Sequence, residues 1–389
     1  MTKPQRSCPI CRSEVVHEIA SLTYALWDDL AIDGYAELVA CQDCGMVYHQ
    51  TNASEQDFSR YYTQNAYYAA AETLGSGGLG EEECTRFQRI DGLLESCSEE
   101  RASGILDVGA GKGGFLHWCK AQGYSHLIAL EKSTACAETI RQTLALSVCS
   151  EVKQLPETGP KIDRIILSHV LEHAFQPLEL LTELLTKVDD HALFYIEVPN
   201  AQWYANASNP WRYFYFEHIN HFDMAHLEAL LKRAGLKIIS AITGPFLPGQ
   251  GHVDECCMVV ASKGAKASAL ADKQLLTLMR ARLSRFSDVS DKFAGMLTHS
   301  NIRFSIWGIS QYTQLLLGNS SALRDRLRYL IDKSPAKAGR FLQGHRVEPV
   351  EKLAELDRND VLLIPEALFS PAMQQTLTEV EFAARIVLF

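Results

Sequence analysis

The sequence predicts an α/β protein built around a doubly wound, mostly parallel sheet, flanked by a small N-terminal module and a second, smaller α/β domain. Three observations carry this. Short apolar runs alternate with amphipathic stretches between about 85 and 264, the rhythm of strand–helix–strand units. The run Ile105–Val108 enters a turn with glycines at 109, 111, 113 and 114. A second strand–glycine turn opens at Ile302–Gly308, late enough in the 389 residues for a further domain.

In the central part, Arg86 to Leu94 reads as helix and Ile105 to Val108 as strand. Phe115 to Gln122 reads as helix and Leu127 to Leu130 as strand. Ile162 to Ser168 is the next strand, Leu178 to Val188 an amphipathic helix, and Ala192 to Val198 another strand. His226 to Ala234 is a helix closed by Gly235, with Leu236 to Ile242 after it. In the last part, Ala267 to Leu297 reads as one long helix. Ile302 to Trp307, Leu327 to Ile331, Val361 to Ile364 and Ile386 to Phe389 read as strands. The divisions expected are 1–60, 61–84, 85–264 and 265–389, with the glycine-rich run from Gly75 to Gly80 as a linker or lid.

Glycines after a strand let the backbone approach a ligand, because no Cβ stands in the way. An acidic residue ending the following strand, here Glu131, accepts hydrogen bonds from ribose hydroxyls. A nucleoside-bearing cofactor is therefore expected. Gly109, Gly111 and Gly114 fit the dinucleotide spacing. Asp107 argues otherwise: a carboxylate before the turn repels a pyrophosphate and suits a ligand carrying an ammonium and a sulfonium. The order Asp107-x-Gly109-x-Gly111-x-Gly113 resembles motif I of the class I methyltransferases, whose donor is S-adenosylmethionine. Lys132, Ser168 and His169 complete the expected cofactor site.

Cys8-Pro-Ile-Cys11 and Cys41-Gln-Asp-Cys44 are two C-x-x-C knuckles, the ligand count of a closed, structural four-thiolate zinc site. The interval between them exceeds the usual ribbon spacing, and a hairpin from Val15 to Val39 fills it. The other cysteines, Cys84, Cys97, Cys119, Cys136, Cys149, Cys256 and Cys257, read as reduced, small core residues.

The bulk properties exclude several classes. The formal net charge is −10, which argues against a nucleic-acid substrate; Arg324, Arg326 and Arg328 read as a solvated helix face. No apolar run reaches membrane-spanning length. The residues after Met1 have no secretory pattern, so a cytoplasmic monomer or homodimer is expected.

These parts together resemble the zinc-containing C-methyltransferases that act on nucleotide-linked keto-deoxysugars. The resemblance rests on the knuckles, motif I, His169-Val-Leu-Glu-His173, Tyr215-Phe-Glu217-His218 and the later Asp332-Lys-Ser-Pro. It implies that a base removes a proton beside a ketone and that the enolate attacks the donor methyl. His218 is then the base, Glu217 its partner or a substrate ligand, and Tyr215 and His173 contacts to the sugar or enolate. Tyr67 or Tyr68 would close the site. Three places depart from the family: His221, where a tyrosine is usual; Gly249-Gln-Gly-His252-Val-Asp-Glu255, where His-Gly-Gly-Ser is usual; and Trp307-Gly308-Ile-Ser, a bulky start to the last glycine turn. O- or N-methylation of another acceptor, a zinc-ribbon RNA methyltransferase and a non-catalytic cofactor-binding protein are the alternatives.

Overall fold

The computed structural model describes residues 6–64, 81–98, 101–156, 161–207, 210–246, 254–268, 273–283, 302–380, 382 and 384–389. Tyr67, Tyr68, the Gly75–Gly80 run, residues 249–253 and much of the long helix expected over 267–297 lie outside them.

Among the described residues, three sheets organise the fold. The central one begins with β4 (Ile105–Val108), β5 (Leu127–Leu130) and β6 (Val148–Cys149), and continues with β7 (Arg164–Ser168) and β8 (Leu193–Pro199). It ends with β10 (Leu236–Pro245) and β11 (Glu255–Lys263), in the spatial order β10-β11-β8-β7-β4-β5-β6. Strands β6 to β8 run parallel, as their helical crossovers require. Only β11 and β10 are antiparallel, a hairpin laid beside β8. The four residues of β4 are all buried, as are those of β5, because helices cover both faces. The order reverses beside β4, and an open sheet binds its ligand at that switch point, over the carboxyl ends of the strands.

The helices start and stop where side-chain chemistry allows. Ser133 caps α4 (Thr134–Leu144) and Asp223 caps α7 (Met224–Ala234), each accepting from a backbone N–H of the first turn. Gly235 ends α7 at φ 97°, in the left-handed region that Gly tolerates without penalty.

The N-terminal sheet has the order β1-β2-β3-β9. Its strands are β1 (Val16–Thr23), β2 (Tyr35–Cys41), β3 (Val47–Thr51) and the two-residue β9 (Asn220–His221). The first two form the hairpin expected between the knuckles. The fourth belongs to the central domain: Val47 pairs with His221 and Tyr48 with Asn220. One apolar core runs from Cys8, Cys41, Cys44 and Met46 into Leu106, Leu167 and Ile196 of the central sheet.

The C-terminal sheet has the order β14-β15-β13-β12-β16-β17. Strands β12 (Arg303–Trp307), β13 (Leu327–Ile331), β16 (Asp360–Ile364) and β17 (Arg385–Leu388) are parallel. The hairpin of β14 (Phe341–Leu342) and β15 (His345–Glu348) completes the sheet. The β1–β2 turn plugs into this domain, with Ala25 and Trp27 in its core. Arg324 does not lie on a solvated helix face: it donates to the carbonyls of Leu317 and Gly318 at a helix end. Arg328 is on β13 and pairs with Asp360. Both guanidiniums meet local demands, so the expected helix face is not formed.

Of the scattered cysteines, Cys119, Cys136, Cys256 and Cys257 are buried, whereas Cys84, Cys97 and Cys149 are only partly so. None of the eleven forms a disulfide. Among the described residues, no helix is long and apolar enough to cross a membrane.

Candidate functional site

The cofactor side starts at the end of β4. Gly109, Gly111 and Gly113 stand at φ 69°, 55° and 81°, so the alternating glycines of the motif answer an alternating left-handed backbone. A Cβ at Gly109 would come within 2.9 Å of Val170 Cγ2. The turn is held to the following strand by Gly109 N–H donating to the Leu130 carbonyl at 2.7 Å. Glu131 accepts from the backbone N–H of Gly111 and of Ser133, both at 2.7 Å, which orients its carboxyl beside the turn. Lys132 is exposed next to it.

Asp107 is buried before the turn, and its side chain makes no hydrogen bond among the described residues. Burial pushes its pKa up to about 7, with Arg86 opposing and Glu131 assisting the rise. A carboxyl destabilised in this way gains from an arriving cation. That fits the ammonium and sulfonium of S-adenosylmethionine and does not fit a pyrophosphate. Asp107, Gly109, Gly111 and Glu131 therefore form a chemically suitable cradle.

Ser168 and His169 end β7 on the same side. Ser168 Oγ donates to Glu197 at 2.7 Å and accepts from Arg86. Glu197 is fully buried between Arg86 and Arg89, at 3.1 and 2.9 Å, and its pKa is lowered despite burial. These arginines lie on α2 (Glu81–Glu95) and fasten that helix over the strand ends. Neither they nor Glu197 stood out in the sequence, where each is one charge among many. His169 takes a strained φ of 56°. Its ring lies 4.6 Å from that of Phe246, and its Nδ1 is 2.9 Å from Glu172 Oε1.

Glu172 leads to a second cluster. His173 and His218 meet edge to face with ring centroids 4.7 Å apart, and Tyr215 meets His218 edge to face at 4.6 Å. His173 Nδ1 faces the Glu217 carbonyl at 3.1 Å. The carboxyl of Glu217 is buried and accepts the hydroxyl proton of Tyr61. Tyr62 adds its hydroxyl, 3.3 Å from His173 Nδ1. The four residues anticipated here, His173, Tyr215, Glu217 and His218, thus come together. Tyr61 and Tyr62, on α1 (Glu55–Gln64), join them, whereas Tyr67 and Tyr68 lie outside the described residues.

Burial sets the protonation of this cluster. It pushes Glu217 up to about 7, the Tyr61 hydrogen bond pulling the other way. It holds His218 well below its ordinary value, aided by His173, and Tyr62 well above. At neutral pH the cluster offers two uncharged imidazoles, a protonated phenol and a carboxyl near its midpoint. Such a set can take a proton from a weak acid and donate a hydrogen bond to the anion left behind.

His221 is not part of this pocket. It is fully buried on β9, with Nε2 3.2 Å from His49 Nε2 and Nδ1 2.5 Å from the Tyr204 hydroxyl. Its departure from the family pattern belongs to the seam between the N-terminal sheet and the central domain.

The four-cysteine cluster lies on the far side of that seam. Cys8 Sγ is 3.5 Å from Cys44 Sγ, and Cys11 Sγ 3.4 Å from Cys41 Sγ. Tetrahedral thiolates about 2.3 Å from a zinc ion stand roughly 3.8 Å apart, so these sulfurs need only small adjustments. The two knuckles share one geometry: Arg12 and Gly45, each following the second cysteine, stand at φ 63° and 81°. Each donates its N–H to the carbonyl of the first cysteine. His226 Nε2 lies 3.1 Å from the Cys44 carbonyl and couples the second knuckle to α7.

In the C-terminal domain, Asp332 takes the position that Glu131 has in the central one. It accepts from Ile309 N–H at 2.8 Å, Ser334 N–H at 2.9 Å and Lys337 Nζ at 3.0 Å. Leu368 closes on the turn, 2.8 Å from where a Cβ of Gly308 would stand.

A strand order that reverses beside β4 and ends in an antiparallel hairpin, with an acid before the glycine turn and another after the next strand, defines a class I methyltransferase fold. Residues 83–241 match the family described as "Methyltransferase domain". The chain therefore carries a methyltransferase domain at its centre. No curated protein matches the chain. Its solved structural relatives are distant. The plantazolicin methyltransferase BpumL, in complex with a pentazolic desmethylPZN analog and SAH, is 17% identical; the match covers 47% of this chain and 86% of that one, TM-score 0.37. The Burkholderia thailandensis 1,6-didemethyltoxoflavin-N1-methyltransferase is 15% identical over 58% of this chain and 98% of that one, TM-score 0.41. The [4+2]-cyclase SpnF is 14% identical over 46% and 80%, TM-score 0.36.

Proposed function

We propose that the protein transfers a methyl group to a carbon acid, of the class of nucleotide-linked keto-deoxysugars, with His218 as the base. The observation that carries this reading is the cluster of His218, His173, Tyr62 and Tyr61-bonded Glu217. His218 is uncharged at neutral pH, so its ring has a lone pair for the proton beside the ketone. Glu217, the preceding residue, held by Tyr61, is assigned the balancing of the imidazolium that forms. The protonated phenol of Tyr62, with Tyr215 and His173, is placed to donate to the enolate oxygen or hold the sugar. S-adenosylmethionine, when bound by Asp107, the glycine turn, Glu131 and the Ser168–His169 edge, supplies the electrophilic methyl. A zinc ion on Cys8, Cys11, Cys41 and Cys44 holds the N-terminal sheet, and with it α1, against this pocket. The C-terminal domain serves as a packing unit: Tyr312 and Leu315 share a buried cluster with Tyr204, Trp211 and Phe214 of the central domain.

The test is hydrogen exchange at the acceptor. A nucleotide-linked keto-deoxysugar incubated with the enzyme and S-adenosylhomocysteine in deuterium oxide should exchange the hydrogen beside its ketone. With S-adenosylmethionine the product should carry the methyl on that carbon. His218→Ala should abolish both while leaving S-adenosylhomocysteine affinity intact. A methyl on oxygen or nitrogen, or full exchange in His218→Ala, overturns the reading.

A further inference from the structure

The acceptor pocket contains a second set of metal-binding atoms, apart from the four cysteines. One donor atom each from Glu172, His173 and His218 lies within 4.8 Å of the other two. The surroundings of these atoms are those of ligands held ready. The Glu217 carbonyl beside His173 Nδ1 can only accept, so Nδ1 carries the proton. The lone pair of His173 is therefore on Nε2, which is 4.0 Å from Glu172 Oε1. A far nitrogen tied to a carbonyl is the usual support of a metal-bound histidine. Glu172 is 1% exposed; Oε1 meets His169, while Oε2 is buried with no hydrogen-bond partner among the described residues. A buried carboxylate oxygen without a partner is costly, and a cation is the ligand that would relieve it.

We propose that Glu172, His173 and His218 bind one divalent transition-metal ion inside the acceptor pocket. Two imidazoles and a carboxylate leave coordination positions open, as in exchangeable sites and unlike a closed four-thiolate site. Ligands about 2.1 Å from a tetrahedral ion stand roughly 3.4 Å apart, so the three side chains close by an ångström or so, within the reach of side-chain rotation. The ion takes the lone pair with which His218 would accept a proton. Metal occupancy and base catalysis then exclude each other, and the ion inhibits. This consequence rests on His218 being the base; the site itself does not.

The experiment is a Co²⁺ titration of zinc-replete full-length protein, read by visible absorption and metal analysis. One Co²⁺ should bind beyond the thiolate-held metal, with ligand-field bands but without sulfur-to-metal charge transfer. Glu172→Gln and His173→Gln should each weaken it about 100-fold or more, since even loss of an outer-shell partner costs 10–100-fold. No further equivalent in the wild type, charge-transfer bands on it, or full affinity in both variants overturns the site. The wild-type stoichiometry decides even where a variant misfolds. Binding of Co²⁺ without loss of turnover would leave the site standing and remove His218 as the base.

Discussion

Tyr61 donates its hydroxyl proton to Glu217, joining a helix that follows the cysteine module to the aromatic segment of the central domain. The contact is the one force lowering the Glu217 pKa against burial, which has pushed it to about 7.

Tyr61→Phe removes that hydrogen bond, so the Glu217 pKa should rise further. If the ionised carboxylate balances His218, turnover increases as pH rises through about 7 in the wild type. In Tyr61→Phe this limb should move to higher pH, with the plateau less affected. A pH profile of kcat checks it, and an unmoved limb would separate Glu217 from the proton chemistry.

Asp107 gives a second pH dependence. Its folded pKa of about 7 lies above the ordinary carboxyl range. The unfolded chain therefore binds fewer protons between the two values, and the unliganded protein loses stability as pH rises through that window. A cationic ligand beside Asp107 draws its pKa back down, so binding near pH 6.5 should release a proton and tighten as pH rises towards 8. Calorimetry of S-adenosylmethionine in buffers of different ionisation enthalpy measures this. Asp107→Asn should remove the proton release and weaken binding about tenfold or more, the scale of one charge-assisted contact.

Much of this was legible in the chain because local rules were obeyed locally. β4, β5 and β13 have the bounds that apolar runs ending in glycine or acid suggest, and Gly235 ends its helix where a left-handed residue is needed. The knuckle cysteines converge because their spacing leaves little choice. Long-range geometry was illegible. No period marks Asn220–His221 as a strand, since two residues carry none; their pairing with Val47 and Tyr48 depends on the assembled domains. The part played by Tyr61 and Tyr62 was equally hidden, because it follows from the axis of α1 that brings both to the cluster. Arg86 and Arg89 look like any amphipathic helix face until Glu197 is buried beneath them.

Gly318 should tolerate no side chain. Its Cβ would stand 1.9 Å from the Thr23 carbonyl oxygen, where the helix Gln311–Asn319 crosses the end of β1. Backbone lies on both sides, so neither can yield by a rotamer change. Gly318→Ala should lower the melting temperature by several degrees, about 2 kcal/mol or more by analogy with overpacked cores, without changing S-adenosylhomocysteine affinity. An unchanged melting temperature would place this crossing outside the cooperative unit.

Arg6 connects the cysteine module to the pocket, and its substitution is the most direct probe of that coupling. It precedes Cys8 by two residues and is 6% exposed. It donates to the Phe175 carbonyl at 2.9 Å and to that of Ile219 at 3.0 Å. It also reaches Asn220 Oδ1 at 2.6 Å, and Asn220 in turn donates to the carbonyls of Leu171 and Ala174. One guanidinium thereby spans the loop carrying His173 and the segment carrying Glu217 and His218. Burial lowers its pKa only to about 10, so it stays charged. Lysine has charge but not the planar fork, so Arg6→Lys should leave zinc content and S-adenosylhomocysteine affinity near wild type. It should reduce kcat about 100-fold, the cost of displacing catalytic groups by roughly an ångström. Removing zinc with a chelator should produce the same loss in the wild-type protein, because the first knuckle anchors the segment that holds Arg6. Full turnover in metal-free protein, or in Arg6→Lys, would show that the module and the pocket are mechanically independent.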